Sequence, residues 1–465
     1  MSSIVVCGAG VVGLSVAMML ARDGHEVSVL ESDPDSPPAE PEQAWKSWQR
    51  KGVAQFHQPH NLFASFRHVC DEQLPGITDE LEKAGCVWVD YLHPLPSRFS
   101  AATPRPEDDR LRFITGRRPV VESVMATVAE NQAGVSVSRG VRVAGLLPGP
   151  SASGGAPGVA GVRTADGSEV RADLVVDATG RRTPSAAWLA ELGARPAHLE
   201  SENSGFAYYT RYFTGPVRPR RLGAALTPIG TVSVLTIDGD NDTWSVTLFT
   251  STKDAPMKAL RDPERFTRVL RACPMHAHWL DGEPITPILP IAGVLDCYRR
   301  FAVSGSPIVT GFAAVGDAWA CTNPSAGRGL SLGLMHAQLL RDVVRDHLDD
   351  PAAFSNAFDA RTEEAVAPFY RNQIREDRLR AAEMNALRNG LEPAAMTPRS
   401  AQILAAAGQD ADILRGLLEI VQCLALPEEV FQRPGIRERI EATDPVPPPP
   451  APGPDRAQLL ELLRS

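Results

Sequence analysis

The sequence predicts an α/β fold: a parallel-sheet unit interwoven with a mostly antiparallel sheet, followed by a helical C-terminal region. Three observations carry this expectation. The stretch "SIVVCGAGVVGLSVAMMLARDGHEVSVLES" at 3–32 reads as strand, tight turn, helix and strand. Residues 205–250 are mostly strand-like, including "GFAYYTRYF" and "DTWSVTLFT". After Ser325 the pattern is helical to about residue 440, broken at Pro351, Pro368 and Pro393.

Taken in order, Ile4–Val6 is β-rich, Leu14–Ala21 has helical apolar spacing, Gly24 ends that helix, and Val27–Leu30 forms a second strand. Residues 32–42 are rich in Pro, Asp and Glu and predict a solvated loop. Helices are expected near 60–73 and 118–131, and strands at 111–115, 135–147 and 158–176. The Gly/Ser/Pro stretch "GPSASGGAPG" (149–158) predicts a hairpin connection. A helix at 254–272 and strands around 290–316 complete the pattern. "DPVPPPPAPGP" (444–454) predicts an extended spacer, and "DRAQLLELLRS" a short amphipathic helix docked on the protein or on a partner.

These elements predict a discontinuous nucleotide-binding domain (1–200 and 290–345, with an inserted segment near 60–115). A substrate-binding sheet domain (201–289), a helical region (346–443) and a proline-rich tail (444–465) follow.

The composition is that of a globular protein of roughly two to three domains, with 465 residues, 43% hydrophobic and 22% charged. A formal net charge of -9 argues against nucleic-acid or anionic-membrane partners. The seven cysteines contain no CxxC pair and suit free thiols in a reducing compartment. No apolar run reaches the roughly 18 residues of a membrane span. The first residues pass directly into a strand, so a cytoplasmic protein without a leader is expected.

Gly8-Ala9-Gly10-Val11-Val12-Gly13 fits GxGxxG directly after a strand and at the start of a helix. The first glycine permits the turn, the second lets the backbone approach a pyrophosphate, and the third permits close helix–strand packing. The helix N-terminus adds free N–H groups and a positive dipole end. Glu31 ends the second strand, where a carboxylate accepts from ribose hydroxyls.

A second feature selects the dinucleotide. The strand "IVTGFAAVGD" ends in Gly316-Asp317, and Pro324-Ser325-Ala326-Gly327-Arg328-Gly329 opens a long helix with no bulky side chain near its tip. Such a tip suits the pyrimidine edge of a flavin, which carries negative charge when reduced, and Asp317 suits ribityl hydroxyls. Asp177-Ala178-Thr179-Gly180 predicts another close backbone approach at Thr179 and Gly180. FAD is the expected cofactor.

With Gly8/Gly10/Gly13, Gly316-Asp317 and Pro324-x-x-Gly327-x-Gly329 in this order, the chain resembles the p-hydroxybenzoate hydroxylase-like FAD monooxygenases of the glutathione-reductase fold. It is also similar to the polyether-type alkene epoxidases of that superfamily, through "GRRPVVESVM" (116–125) and "ADLVVDATGRRTPSAAWLAELG" (172–193). The resemblance implies a Rossmann FAD domain and transfer of one oxygen atom from O2, through a flavin C4a-hydroperoxide, to an aromatic or alkene small molecule. It carries a ribityl or pyrophosphate contact to Arg118, with Arg117 the alternative. Asp177-Ala-Thr-Gly180 departs from the family's Asp-Gly form, and no second GxGxxG is present. NAD(P)H is therefore expected as electron donor either directly or through a separate flavin reductase.

For substrate handling, "WQRKGVAQFHQPHNLF" (48–63) offers His57 and His60 to orient substrate or move protons, although Pro59 also makes His60 a first-turn residue. On "YYTRYF", alternation puts Tyr208, Thr210 and Tyr212 on one face, as pocket wall or as ordinary sheet packing. His276 and His278 lack the company of a metal site. Three other readings stand beside the monooxygenase. They are a reductase of the geranylgeranyl-reductase type, a flavin-dependent halogenase (whose WxWxIP signature is absent), and a non-catalytic FAD-binding protein.

Overall fold

The computed structural model describes residues 1–93, 99, 103–151 and 155–464; residues 152–154 of the expected hairpin connection lie outside this set. Its first layer is a five-stranded parallel sheet. The strands are β1 (Ser3–Cys7), β2 (Glu26–Glu31), β3 (Val135–Arg139), β4 (Leu174–Asp177) and β5 (Phe312–Ala314), in the order β5-β4-β1-β2-β3. The central strand β1 shows no alternation of apolar and polar residues. Ile4, Val5, Val6 and Cys7 are all buried, as expected for a parallel strand covered on both faces. Register pairs Ile4 with Val27 and with Leu174, which brings the C-terminal ends of β1, β4 and β5 to one edge.

Helix α1 (Val11–Arg22) packs against α2 (Arg118–Glu130) and α3 (Gly329–His347). Its contact with α3 depends on small residues, since a Cβ at Gly333 would collide with the Val12 side chain. The strands 143–149 and 158–164 pair antiparallel across the Gly/Ser/Pro stretch.

The second layer is a six-stranded antiparallel sheet. Its successive strands are Leu226–Ile229, Val232–Asp238, Thr243–Ser251 and Phe206–Thr214, with Glu283–Pro284 and Leu289–Ala292 on the far side of Phe206–Thr214. Trp244 is fully buried behind it and donates from Nε1 to the Trp279 carbonyl at 2.8 Å. Helices then run from α3 through α4 (Ala367–Arg388) to residue 441.

The closing helix α5 (Arg456–Arg464) docks on this chain itself. Leu459 and Leu463 enter the core of the sheet layer, and Arg456 pairs with Asp254 at 2.6 Å.

Two short features differ from the sequence reading. A helix begins at Pro41 on the border of the expected loop, because proline is well placed in a first turn. His198–Glu202, Asp296–Arg300 and Ala320–Cys321 form a small antiparallel sheet. Its edge strand "HLESE" is nearly all exposed, so it lacks the hydrophobic alternation that announces a strand.

Candidate functional site

One cavity of about 700 Å³ runs from the GxGxxG turn, past the α3 N-terminus, to the face of the antiparallel sheet. The glycine turn shows three separate physical demands. Gly8 has φ +106°, and a Cβ there would lie 2.6 Å from the Ala178 carbonyl oxygen. A Cβ on Gly13 would collide with the Gly8 carbonyl oxygen. Gly10 is different: a Cβ would meet nothing within 4 Å, because this position faces the cavity. Val11 and Val12 line the cavity beside it, at the start of α1.

Glu31 also lines the cavity, but its carboxylate serves the protein as well. Oε2 accepts from the Ala9 N–H at 2.8 Å and from Arg50 Nη2 at 2.6 Å, and Oε1 accepts from the Asp33 N–H at 2.9 Å. Arg50, buried to 5% exposure, further pairs with Asp33 and with Glu122 of α2. Three carboxylates around one guanidinium offset its desolvation. The sequence reading misses Arg50, which sits in a loop with no motif around it.

The two arginines of "GRRP" separate cleanly. Arg118 lines the cavity, donating from Nε to Glu122 at 2.6 Å and from Nη1 to His60 Nε2 at 3.0 Å. Arg117 turns away, buried against Asp240 at 2.5 Å and Glu42 at 2.5 Å, with its guanidinium 4.7 Å from the Trp45 ring centre.

His60 lines the cavity too. Its Nδ1–H donates to the Gln58 carbonyl at 2.8 Å, which leaves Nε2 as the acceptor for Arg118. Burial, with the Arg118 charge adding, pushes its pKa down to about 3. At that value the ring is neutral near pH 7, with its Nε2 lone pair turned to Arg118.

His57 is not on the cavity. It packs edge-on to Trp45, 5.1 Å between ring centres, and burial lowers its pKa. Tyr212 joins the same cluster, 4.8 Å from Trp45 and fully buried. The alternation places Tyr212 on the correct face, but the cavity ends before it because Trp45 fills that space.

At the opposite rim, Thr179 and Gly180 line the cavity, held by Asp177, which accepts from the Thr179 N–H at 2.9 Å. Asp317 lines it from the end of β5. Burial raises its pKa, opposed by Arg118 and Arg181. Gly316 does not reach the cavity; it has φ +56° and packs against Val12, where a Cβ would come within 3.2 Å.

Pro324, Gly327 and Gly329 line the cavity at the α3 tip, and Gly327 has φ +68°. The first N–H groups of α3 have no intrahelical acceptor. Arg328 is turned the other way, toward Gln373 at 3.1 Å and Glu376 at 3.3 Å of α4. A helix N-terminus leaves a cation no favourable place in front of it.

Behind the tip, Ser325 Oγ donates to Asp377, and Gln373 Nε2 donates to Ser325 Oγ at 2.9 Å. Burial raises the Asp377 pKa to about 7. Neither α4 residue carries a sequence signal, since a polar i, i+4 pair on a helix normally faces water.

The far wall is the sheet. Tyr208, Thr210 and Thr247 line it, with Leu235, Ile291 and Val294. Tyr208 donates its hydroxyl to Asn323 Oδ1.

The cavity fits FAD on the protein's own evidence: an uncrowded glycine at one helix tip, a second helix tip opposite, and buried cations and acids between them. Residues 3–88 match the family described as FAD dependent oxidoreductase. This match covers the first strand, the glycine turn and helix α1, the part of the chain that opens the cavity.

The chain is also similar to Protein Rv3254 of Mycobacterium tuberculosis, 27% identical over 376 residues that cover 73% of this chain and 72% of the relative. Among solved structures, the fold matches a flavoprotein/dehydrogenase from Cytophaga hutchinsonii. The TM-score is 0.61 at 15% identity, covering 94% and 96% of the two chains. It also matches P. aeruginosa PqsL in complex with 2-aminobenzoylacetate, with TM-score 0.58 and 16% identity, covering 90% and 99%. The fold is thus a mixed α/β architecture, shared with that flavoprotein/dehydrogenase and with PqsL. Among the described residues, no helix is long and apolar enough to cross a membrane.

Proposed function

We propose that this oxidoreductase is an FAD-dependent monooxygenase that transfers one oxygen atom from O2 to an aromatic or alkene small molecule. The observation that carries the reading is continuity: one cavity joins the glycine turn, the α3 tip and an apolar sheet wall with hydroxyl groups. Bound FAD supplies the redox chemistry, and the protein supplies position, electrostatics and exclusion of water.

Gly10 admits the pyrophosphate to the α1 N-terminus. Glu31, already fixed by Ala9 and Arg50, would accept from the adenosine ribose of bound FAD. Arg118 and Asp317 hold the ribityl and pyrophosphate stretch. The α3 N–H groups at Gly329 and Leu330 would stabilise negative charge on a flavin held at this tip. Tyr208, Thr210 and Thr247 orient the substrate, while Leu235, Ile291 and Val294 keep its reacting face dry.

His60 fixes Arg118 and moves no proton. Electrons come from NAD(P)H, directly or through a separate flavin reductase. The likeness to PqsL, described as a probable FAD-dependent monooxygenase, supports this reading.

The test compares air and its absence. Photoreduced, FAD-loaded protein should convert an aromatic alcohol to a product one oxygen heavier in air and leave it untouched under argon. Anaerobic saturation of an alkene would replace this reading with the reductase one.

A further inference from the structure

The charges of the cavity are segregated. Its arginines, Arg50, Arg118, Arg142 and Arg181, all come from the dinucleotide half. Among the described residues that line it, those from the antiparallel sheet and from the Ile291–Val294 stretch carry no charge. The cation on the lining strand, Arg211, points to the other face and donates to the Thr286 carbonyl at 3.2 Å. Behind the wall stand two acids, Asp296 and Asp377, near enough to Tyr208 that both help to raise its pKa, after burial. An anion at this wall would lose its hydration and gain no cation.

The hydroxyl groups are polarised in the same sense. The Tyr208 proton is committed to Asn323 Oδ1, since Asn323 Nδ2 donates to the Val294 carbonyl at 3.3 Å. Thr210 donates to Gln58 Oε1 at 2.9 Å, so across their 2.8 Å contact Thr247 must donate to Thr210. With both protons spent, the hydroxyls of Tyr208 and Thr247 have only lone pairs to offer a ligand in the cavity. Acceptors on an uncharged wall select a ligand that brings a donor.

We propose that the substrate half of this cavity takes an uncharged, largely apolar molecule bearing a hydroxyl or N–H donor, and rejects carboxylates. The inference rests on the monooxygenase reading for its division of the cavity into cofactor and substrate halves. It sets this site apart from that of PqsL, whose solved ligand, 2-aminobenzoylacetate, is a carboxylate.

The experiment titrates FAD-loaded protein with three probes and reads perturbation of the flavin absorbance. The probes are 2-naphthol, 6-hydroxy-2-naphthoate, which adds one carboxylate, and 2-methoxynaphthalene, which lacks the donor. The naphthoate should bind at least about a hundredfold more weakly than 2-naphthol, and 2-methoxynaphthalene about tenfold more weakly. Thr247→Val should weaken 2-naphthol while leaving 2-methoxynaphthalene unchanged.

Naphthoate binding equal to or tighter than that of 2-naphthol would overturn the proposal. So would failure of all three probes to perturb the flavin up to their solubility limits. Retention of FAD in the same samples separates this outcome from failure of the cofactor assignment.

Discussion

Arg118 Nη1 donates to His60 Nε2 across 3.0 Å, a cation held against a neutral imidazole. The arrangement is stable because His60 Nδ1 keeps its own proton on the Gln58 carbonyl, and because burial with the Arg118 charge holds the pKa near 3. We therefore expect the His60 ring signals in an NMR titration to stay unchanged from pH 8 down to pH 5. A transition near the ordinary histidine value, about 6.5, would show that Arg118 does not occupy this position.

The two neighbouring arginines should fail in different ways. Arg117→Ala leaves Asp240 buried without its cation and should cost about 3–5 kcal/mol of stability in chemical unfolding. Its folded fraction should bind FAD normally. Arg118→Ala leaves Glu122 paired with Arg50, so the protein should fold while losing about 1.5–3 kcal/mol of FAD affinity. Isothermal titration and urea unfolding on both variants distinguish the patterns.

Glycine substitutions should separate folding from binding. Gly10→Val puts its side chain into open cavity and should yield a folded, colourless protein, with FAD binding undetectable by fluorescence quenching. Gly13→Val drives the side chain into the Gly8 backbone and should not fold. FAD retention by Gly10→Val would remove the pyrophosphate from this turn.

Asp377 gives a pH prediction with a definite sign. Its pKa is raised from 3.8 to about 7 in the folded protein, so the folded state holds a proton that the unfolded chain releases. That contribution is complete below pH 3.8 and is lost as pH rises to about 7. Asp377→Asn keeps the acceptor for Ser325 without the charge. Its stability relative to wild type should grow across that window, by up to roughly 4 kcal/mol, and level off above it. A stability difference that is flat with pH would place Asp377 in contact with solvent.

How far the sequence can be read follows from how local each signal is. The glycine turn, Glu31 and the residues Pro324, Gly327 and Gly329 are short-range patterns whose backbone demands show in residue type, and they line the cavity. Arg328, between the two glycines, turns away, because a motif position does not say which way a side chain points. That is decided by Gln373 and Glu376, 45 and 48 residues away. His57 and Tyr212 are drawn off the cavity by Trp45, whose place depends on tertiary packing. Arg50 and Asp377 carry no local pattern, since their meaning lies in partners from distant elements. Strand alternation finds Tyr208 and Thr210 and cannot say where along the strand the cavity ends.

Oxygen transfer at the junction of the two halves is open to a direct measurement. It is tested most directly by mixing anaerobically reduced, FAD-loaded protein and 2-naphthol with isotopically labelled oxygen gas, then weighing the product. The expected product is an oxidised naphthol carrying one labelled oxygen atom, absent in Gly10→Val. Unchanged 2-naphthol, with all the consumed oxygen recovered as hydrogen peroxide, would contradict it.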